Sequence, residues 1–107
     1  MMATLFGVAV IFTSVRAQGH DAEYDEMALQ MEALALEQDG FISVNSVRDP
    51  VSRVGITVSH WRDETSAHAW KQVSEHLVAQ ALGKELWYSS YEVVVATVTR
   101  RYGSAGS

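Results

Sequence analysis

Hydrophobic and polar positions alternate with two different periods in residues 55–81. Ile56 and Val58 alternate with polar residues up to Trp61, whereas apolar positions recur at Trp70 and three, seven and eleven residues later. A period of two is typical of a strand and one of 3.6 of a helix, so a strand is predicted to lead into a helix. Two of the three tryptophans and three of the four histidines fall in this segment. It is therefore the first place to look for a site.

The same patterns, together with turn residues, divide the whole chain into six regular elements. The first is a strand at Leu5–Arg16, which a helix from Ala22 to Gln38 follows. Two strands come next, at Phe41–Arg48 and Arg53–Trp61. The second helix is capped by Asp63 or Thr65 and runs to about Leu82, and a link at Lys84–Ser89 leads to the last strand at Ser90–Tyr102. This β-α-β-β-α-β order with short right-handed connections predicts an α+β, ferredoxin-like fold. In it, a four-stranded antiparallel sheet has both helices on one face. Residues 1–107 are predicted to form one domain, with a core at about 5–103 and a flexible tail at 104–107.

Three local expectations follow from the pattern. Asp21 is predicted to cap the first helix, and Glu23–Glu26 to form its solvated first turn. The inward stripe of that helix is predicted to contain Tyr24, Met27, Met31, Leu34 and Gln38. In the second strand, Asn45 is predicted to share a side with Phe41 and Ser43.

The first and last strands are apolar on both sides. Because the helices cover only one face of the sheet, the other face is predicted to be a large exposed apolar patch in a single chain. A homodimer that packs sheet against sheet and closes a barrel would cover it.

Composition excludes several classes of protein. The net charge is -5, which argues against a nucleic-acid partner. The absence of cysteine excludes disulfides and thiolate metal sites and fits a reducing cytoplasm. Leu5–Phe12 is interpreted as a strand rather than a signal peptide, because no basic residue precedes it. No apolar run reaches the ~18–20 residues of a membrane span, so no membrane partner is expected.

Several residue groups resemble the antibiotic biosynthesis monooxygenase family, whose members form dimeric α+β barrels. They are Glu37–Phe41 before the second strand, Val58–Trp61 at the end of the third, Ala67–Trp70 on the second helix, and His76, Gly83, Trp87, Tyr88 and Tyr91 beyond. The resemblance covers about Leu5 to Gly103. It implies either an oxygenase that oxidises aromatic compounds without metal or flavin, or a relative that degrades haem, although many members have no established substrate.

The haem-degrading pattern is only partly present. It has an Asn on the first strand, a Trp on the second helix, and an iron-binding His ten residues after that Trp. Trp70 matches the Trp, but Gln80 stands at the position of the His and the first strand contains no Asn. Haem binding is therefore disfavoured, and no cofactor is expected.

The cofactor-independent chemistry that the resemblance implies needs a dry aromatic pocket and a base that removes a proton from a hydroxyaromatic substrate. His76 is the proposed base, with Asn45 and Tyr91 as hydrogen-bonding partners of the substrate. The proposed substrate-binding walls are Trp70, Met31, Trp61 and Tyr88. Each residue also has a purely structural interpretation. Trp70 and Met31 would belong to the core, and Trp61 would anchor the end of its strand. Asn45 would face solvent, His76 would lie on the surface, and Tyr88 and Tyr91 would pack in a dimer interface.

A metal site is not expected from the histidines. His60, His68 and His76 are spaced by eight residues, and the two on the helix lie two turns apart, too far to share one ion. His68 is predicted to face solvent. The predicted function is a cofactor-independent monooxygenase for a small aromatic or quinol-type compound. The alternative is a non-catalytic small-ligand-binding or stress-response protein with the same dimeric barrel.

Overall fold

Four strands and two helices make up most of the chain. The computed structural model describes residues 7–80 and 87–104. The elements are β1 (Val8–Arg16), α1 (Asp21–Leu36), β2 (Phe41–Arg48), β3 (Val54–Trp61), α2 (Glu64–Gln80) and β4 (Tyr88–Thr97). The predicted β-α-β-β-α-β order is confirmed. The predicted strand start at Leu5, the helix end near Leu82 and the first half of the link after it lie outside the described residues.

The sheet has the order β2-β3-β1-β4, and each neighbouring pair is antiparallel. β1 therefore pairs with β3 rather than with the strand that follows it, because α1 carries the chain across the sheet. The main helix contacts are with β1, β2 and β3. The predicted α+β, ferredoxin-like fold is confirmed, and β4 is an edge strand beside the region that the helices cover.

The buried core lies where both helices meet the sheet. Trp61 is wholly buried, and Val8 lies opposite it on β1. Ala35 of α1 and Ala67 of α2 complete this cluster. These two small side chains let both helices approach the indole closely, so the core is compact at this end of the sheet.

The start of α1 differs from the prediction. His20, with φ 58°, occupies the N-cap and makes no side-chain capping bond. Asp21 is instead the first helical residue, and its carboxylate accepts hydrogen bonds from Arg16 and Arg53. Two charge-assisted bonds are stronger than one bond to a backbone amide, which explains why the predicted cap is wrong. In α2 the prediction of Asp63 is confirmed, since it accepts a 2.8 Å bond from the backbone N–H three residues later.

β2 changes register near its start. Phe41 lies opposite Trp61, but Ser43 lies opposite His60, so one extra residue is accommodated between them. Such a bulge reverses the alternation of sides. Phe41 therefore points to the helix-covered face and Asn45 to the other face. The prediction that they share a side is wrong.

β4 lies earlier in the sequence than predicted. It begins at Tyr88, which pairs with Arg16, and it ends at Thr97, which pairs with Val8. Within the residues that the structure describes, β1 begins at Val8, so the residues after Thr97 have no described partner strand beyond one bond from the N–H of Val98 to the carbonyl of residue 7. The predicted strand end at residue 102 is wrong for this reason.

One face of the sheet is uncovered in the single chain. The register places Val47, Val54, Ile56 and Val94 on the face opposite the helices, and each is at least 42% exposed. Contiguous apolar surface of this kind is typical of an interaction face rather than of a free surface.

Candidate functional site

A cavity of about 760 Å³ lies between the two helices and the helix-facing side of the sheet. This volume suits a small organic molecule, because ligand pockets commonly measure about 300–1,000 Å³. α1 contributes Tyr24, Met27 and Met31 to its wall, and α2 contributes a stripe that includes Ala67 and Trp70.

The floor of the cavity changes from polar to apolar along the strands. The antiparallel register aligns residues of the four strands in rows across the sheet. Each row follows the strand order β2, β3, β1, β4. The row at the polar end is Arg48, Gly55, Ser14 and Tyr91, and the next is Ser46, Thr57, Phe12 and Val93. The third row is Val44, Ser59, Val10 and Val95, and the row at the apolar end is Phe41, Trp61, Val8 and Thr97. A ligand with one polar end and an aromatic body matches this gradient.

Three aromatic rings pack together at the apolar end, where Trp70 lines the cavity and the other two support it. The indole of Trp61 stacks on Trp70 with 5.7 Å between ring centroids, and Phe41 meets it edge-on at 5.5 Å. The buried Nε1 of Trp61 donates a 2.9 Å bond to Ser59 Oγ, which leaves no unsatisfied donor there. Trp70 is half-buried and lines the cavity, so it belongs to both the core and the wall.

The polar end contains an ion pair between a buried arginine and an exposed aspartate. Arg16 is 4% exposed, donates to the carbonyl of Trp87 at 2.9 Å, and pairs with Asp21. Arg53 also pairs with Asp21, at 2.8 Å. The hydrogen bond from Arg53 and the charges of both arginines hold the pKa of the Asp21 carboxyl below its usual range. The guanidinium of Arg16 lies 4.0 Å from the ring centroid of Tyr24, a cation–π contact.

Two tyrosine hydroxyls meet beside this pair. Tyr24 Oη accepts a 3.1 Å bond from Arg48 Nη2 and a longer bond, 3.4 Å, from Tyr88 Oη. Burial, followed by the hydrogen bond to Tyr24, raises the pKa of the Tyr88 hydroxyl. Tyr88 therefore stays protonated at neutral pH. Its ring packs on Phe12 at 5.3 Å and on Tyr91 at 6.1 Å, which forms the aromatic wall of this end.

Three of the four residues predicted from the sequence as substrate-binding walls, Met31, Trp70 and Tyr88, line the cavity. Tyr91, which was predicted as a catalytic hydrogen-bonding partner of the substrate, lines it as well. Trp61 lies directly behind Trp70 and supports it.

Two residues predicted as catalytic lie elsewhere. Asn45 is exposed on the open face of the sheet, opposite Val58, so the thickness of the sheet separates it from the cavity. His76 is exposed and is not among the lining residues of α2. The histidine of α2 that lines the cavity is His68, although it is also solvent-exposed as predicted.

Sequence reasoning did not single out the polar end of the cavity. Tyr24 falls both on the predicted inward stripe and in the turn predicted to be solvated, and the structure shows it half-buried beneath Arg16. Arg48 was assigned only to a strand. One signal was present: Gly55 inside a strand pattern, because a strand glycine often marks a place where another group approaches the backbone closely.

The family of the chain follows from its sequence. The sequence profile of the antibiotic biosynthesis monooxygenase family matches residues 7–82. The chain belongs to this family. It is also 44% identical over 93 residues to the uncharacterised protein YqjZ of Bacillus subtilis, a match that covers 87% of this chain and 80% of that protein.

Solved structures share the fold at low sequence identity. SnoaB of Streptomyces nogalater, a cofactor-independent oxygenase, superposes with a TM-score of 0.71 at 16% identity and covers 91% of this chain and 97% of its own. PA3566 of Pseudomonas aeruginosa superposes with a TM-score of 0.70 at 18% identity and covers 88% of this chain and 95% of its own. These likenesses establish the family fold, a monooxygenase-type α+β fold.

Two kinds of feature are not found within residues 7–80 and 87–104. No three His, Asp or Glu side chains are grouped closely enough to hold a metal ion. Neither helix in this part of the chain is long and apolar enough to cross a membrane.

Proposed function

We propose that the protein is a cofactor-independent monooxygenase that oxidises a small hydroxyaromatic or quinol-type compound in the cavity between the helices and the sheet. The single observation that carries the proposal is the cavity itself. It has room for a small aromatic molecule, an aromatic end at Trp70 and a hydroxyl-rich end at Tyr88. Family membership supports it, as does the oxygenase activity named for SnoaB. The cysteine-free composition supports a cytoplasmic location.

The chemistry can proceed with the substrate as its only reductant. Loss of a proton from a hydroxyaromatic compound gives an electron-rich anion with carbanion character at a ring or benzylic carbon. That carbon attacks dioxygen, and collapse of the resulting peroxide places one oxygen atom in the product and the other in water. For an anthrone, one methylene group and one dioxygen molecule give one carbonyl group and one water molecule, so the atoms and electrons balance without flavin or metal.

We propose His68 as the base in place of His76. His68 lines the cavity, whereas His76 does not, and a base must lie within hydrogen-bonding reach of the proton that it removes. Tyr91 remains a proposed hydrogen-bonding partner of the substrate, and Met31 and Trp70 remain proposed walls. Asn45 is not included, because it lies on the opposite face of the sheet.

Oxygen uptake with a matched pair of variants tests the proposal. The protein, without added cofactor and with a metal chelator present, is mixed with a panel of hydroquinones and anthrones in an oxygen electrode. His68→Gln is expected to lose about 100-fold or more in rate, the usual contribution of general base catalysis. His76→Gln changes an exposed residue of the same helix outside the cavity wall, and it is expected to keep the wild-type rate. If the two variants are equally active, His68 is not the base.

The second candidate function is the binding of a small aromatic ligand without turnover. The solvent exposure of His68 favours it, because a carbanion that water can reach is reprotonated before it meets dioxygen. Ligand binding by the wild type with no oxygen uptake across the panel would select this function.

We also propose that the protein is a homodimer joined through the open face of its sheet. The exposed apolar residues Val47, Val54, Ile56 and Val94 support this, since a second copy would cover them and close the barrel expected of the family. The cavities of the two subunits would then lie on the outer sides of the paired sheets.

A further inference from the structure

The polar end of the cavity contains a guanidinium group, that of Arg48, whose hydrogen bonds all go to uncharged partners. Arg48 Nη1 donates to the carbonyl of Arg53 at 2.7 Å. Its Nη2 donates to Ser14 Oγ and to Tyr24 Oη, each at 3.1 Å. All three partners are neutral oxygen atoms. Among residues 7–76 and 87–104, whose side chains are described, Arg48 forms no ion pair.

Gly55 makes this position of Arg48 available. Arg48 on β2 and Ser14 on β1 are on either side of Gly55 in the same row of the sheet. A Cβ atom on Gly55 would lie 2.5 Å from Arg48 Cζ, far closer than two carbon atoms can approach. The missing side chain therefore lets the guanidinium lie across β3 and reach the cavity.

The hydroxyl group of Tyr24 can still donate one hydrogen bond. A phenolic oxygen offers two acceptor lone pairs and a single proton. Tyr24 Oη accepts from both Arg48 and Tyr88, which uses both lone pairs. Its proton must therefore be donated elsewhere, and Tyr24 lines the cavity. Because Arg48 donates to the same oxygen, it polarises the hydroxyl and makes it a stronger donor.

The pairing of charges leaves one arginine of this end available for an anion. Arg16, Arg48 and Arg53 line the cavity, as do the carboxylates of Asp21, Asp25 and Asp49. Asp21 pairs with both Arg16 and Arg53, so Arg48 is the arginine of the three without a carboxylate partner among the described side chains. An unpaired guanidinium attracts an anionic ligand most strongly where an apolar wall limits screening.

We propose that Tyr24 and Arg48 form an oxyanion site that binds the phenolate oxygen of an aromatic ligand. The proposal deepens the proposed function, on which it rests for the hydroxyaromatic ligand class. A single donated proton suits a single oxygen atom. Arg48 has both terminal nitrogens engaged, so it has no free fork for the paired oxygens of a carboxylate. In the oxygenase reaction, this site stabilises the substrate after it has lost its proton.

Binding of para-nitrophenol tests the proposal without turnover. Only its phenolate absorbs visible light, so at a pH where the free compound is mostly protonated, selective binding of the phenolate raises the visible absorbance. The wild type is expected to bind para-nitrophenol more tightly than its methyl ether, para-nitroanisole, and more tightly than para-nitrobenzoate. Tyr24→Phe, which keeps the ring beneath Arg16, is expected to weaken phenolate binding about 10- to 100-fold and to leave ether binding unchanged.

Two further variants separate the site from general damage to the fold. Gly55→Ala forces the flexible end of Arg48 out of its place without removing its charge, and it is expected to weaken phenolate binding at least about tenfold. Tyr102→Phe removes the same atom from an 88% exposed tyrosine and is expected to have no effect.

A wild type that binds phenolate and ether equally, or binds neither, overturns the proposal, and so does unchanged phenolate binding in Tyr24→Phe. Tightest binding of the benzoate would assign the site to carboxylates instead. Phenolate binding without oxygen uptake would contradict the proposed oxygenase activity but support the oxyanion site. Oxygen uptake without selective phenolate binding would support the oxygenase activity but contradict the oxyanion site.

Discussion

Replacing Ile56 with glutamate tests whether the open face of the sheet is the dimer interface. Ile56 lies on β3, an inner strand, on the face away from the helices, and 42% of its side chain is exposed in the single chain. Glutamate at this position is solvated in a monomer but loses water in a dimer that packs sheet against sheet. The substitution should therefore weaken the dimer much more than it weakens the fold.

The size of the effect follows from exposure and symmetry. Complete burial of an isoleucine side chain stabilises by about 1.5–3 kcal/mol, so covering the exposed part of Ile56 contributes about 1 kcal/mol per copy. Removing a carboxylate from water without a partner costs at least about 2 kcal/mol more, because even a neutral polar group costs that much. A twofold axis brings two copies of residue 56 into the interface, so the dimer is weakened by at least about 6 kcal/mol, or more than about 10,000-fold.

Sedimentation velocity at micromolar concentration measures this directly. The wild type is expected to sediment as a dimer and Ile56→Glu as a monomer with unchanged far-ultraviolet circular dichroism. Val51→Glu is the matched control, because it adds the same charge at an 89% exposed position in the turn between β2 and β3, and it is expected to remain a dimer. A monomeric wild type, or a dimer of Ile56→Glu, would refute the interface.

Three predictions concern stability. Trp61→Ala removes a wholly buried indole from the described core and is expected to lower the free energy of unfolding by about 3–5 kcal/mol in urea titrations. A loss below about 1 kcal/mol would contradict this core. Gly40→Ala is expected to destabilise the fold more than an ordinary loop substitution does, because φ at residue 40 is +84° and the new Cβ would lie 2.1 Å from Ser66 Oγ. An unchanged midpoint of thermal unfolding would contradict this expectation. The hydrogen bond and charge of Arg62 lower the pKa of Asp39, so this pair stabilises the fold above pH 3.8 and the contribution is lost as pH falls further. The unfolding free energies of the wild type and Asp39→Asn should therefore converge below pH 3.8, and a constant difference would contradict the linkage.

The fold was predictable because strand and helix periods are local properties of the chain. Apolar runs on both sides of β1 and β4 were enough to predict a sheet with one uncovered face. The position of Asn45 was not predictable in the same way. Its side depends on the bulge after Phe41, which arises from pairing with β3 and has no local signal.

The site was predicted in part, for a reason that lies in the geometry of α2. The apolar stripe of α2 packs towards the core and contributes Trp70 to the cavity wall. The other residues of α2 that line the cavity form the neighbouring stripe, which contains Glu64, Ala67, His68, Lys71, Ser74 and Glu75. At about 100° per residue, His76 falls on the far side of the helix from this second stripe, and His68 falls within it. A search for polar candidates next to the apolar stripe alone therefore selects the wrong histidine.

The oxyanion site at Tyr24 and Arg48 depends on contacts between distant parts of the sequence. Arg48 meets Ser14 and Tyr24, which lie 34 and 24 residues away. No local pattern predicts such contacts, although the strand glycine at position 55 indicated that another group approaches there.

Turnover under isotopically labelled dioxygen, with the metal chelator present and no cofactor added, tests the central claim most directly. Mass spectrometry of the product and of the water formed follows each oxygen atom. The proposed monooxygenase chemistry predicts one labelled oxygen atom in each product molecule, one in water, and a yield that His68→Gln abolishes and His76→Gln preserves. Product without label, or labelled product formed at the same rate by His68→Gln and the wild type, would contradict catalysis in this cavity by the proposed route.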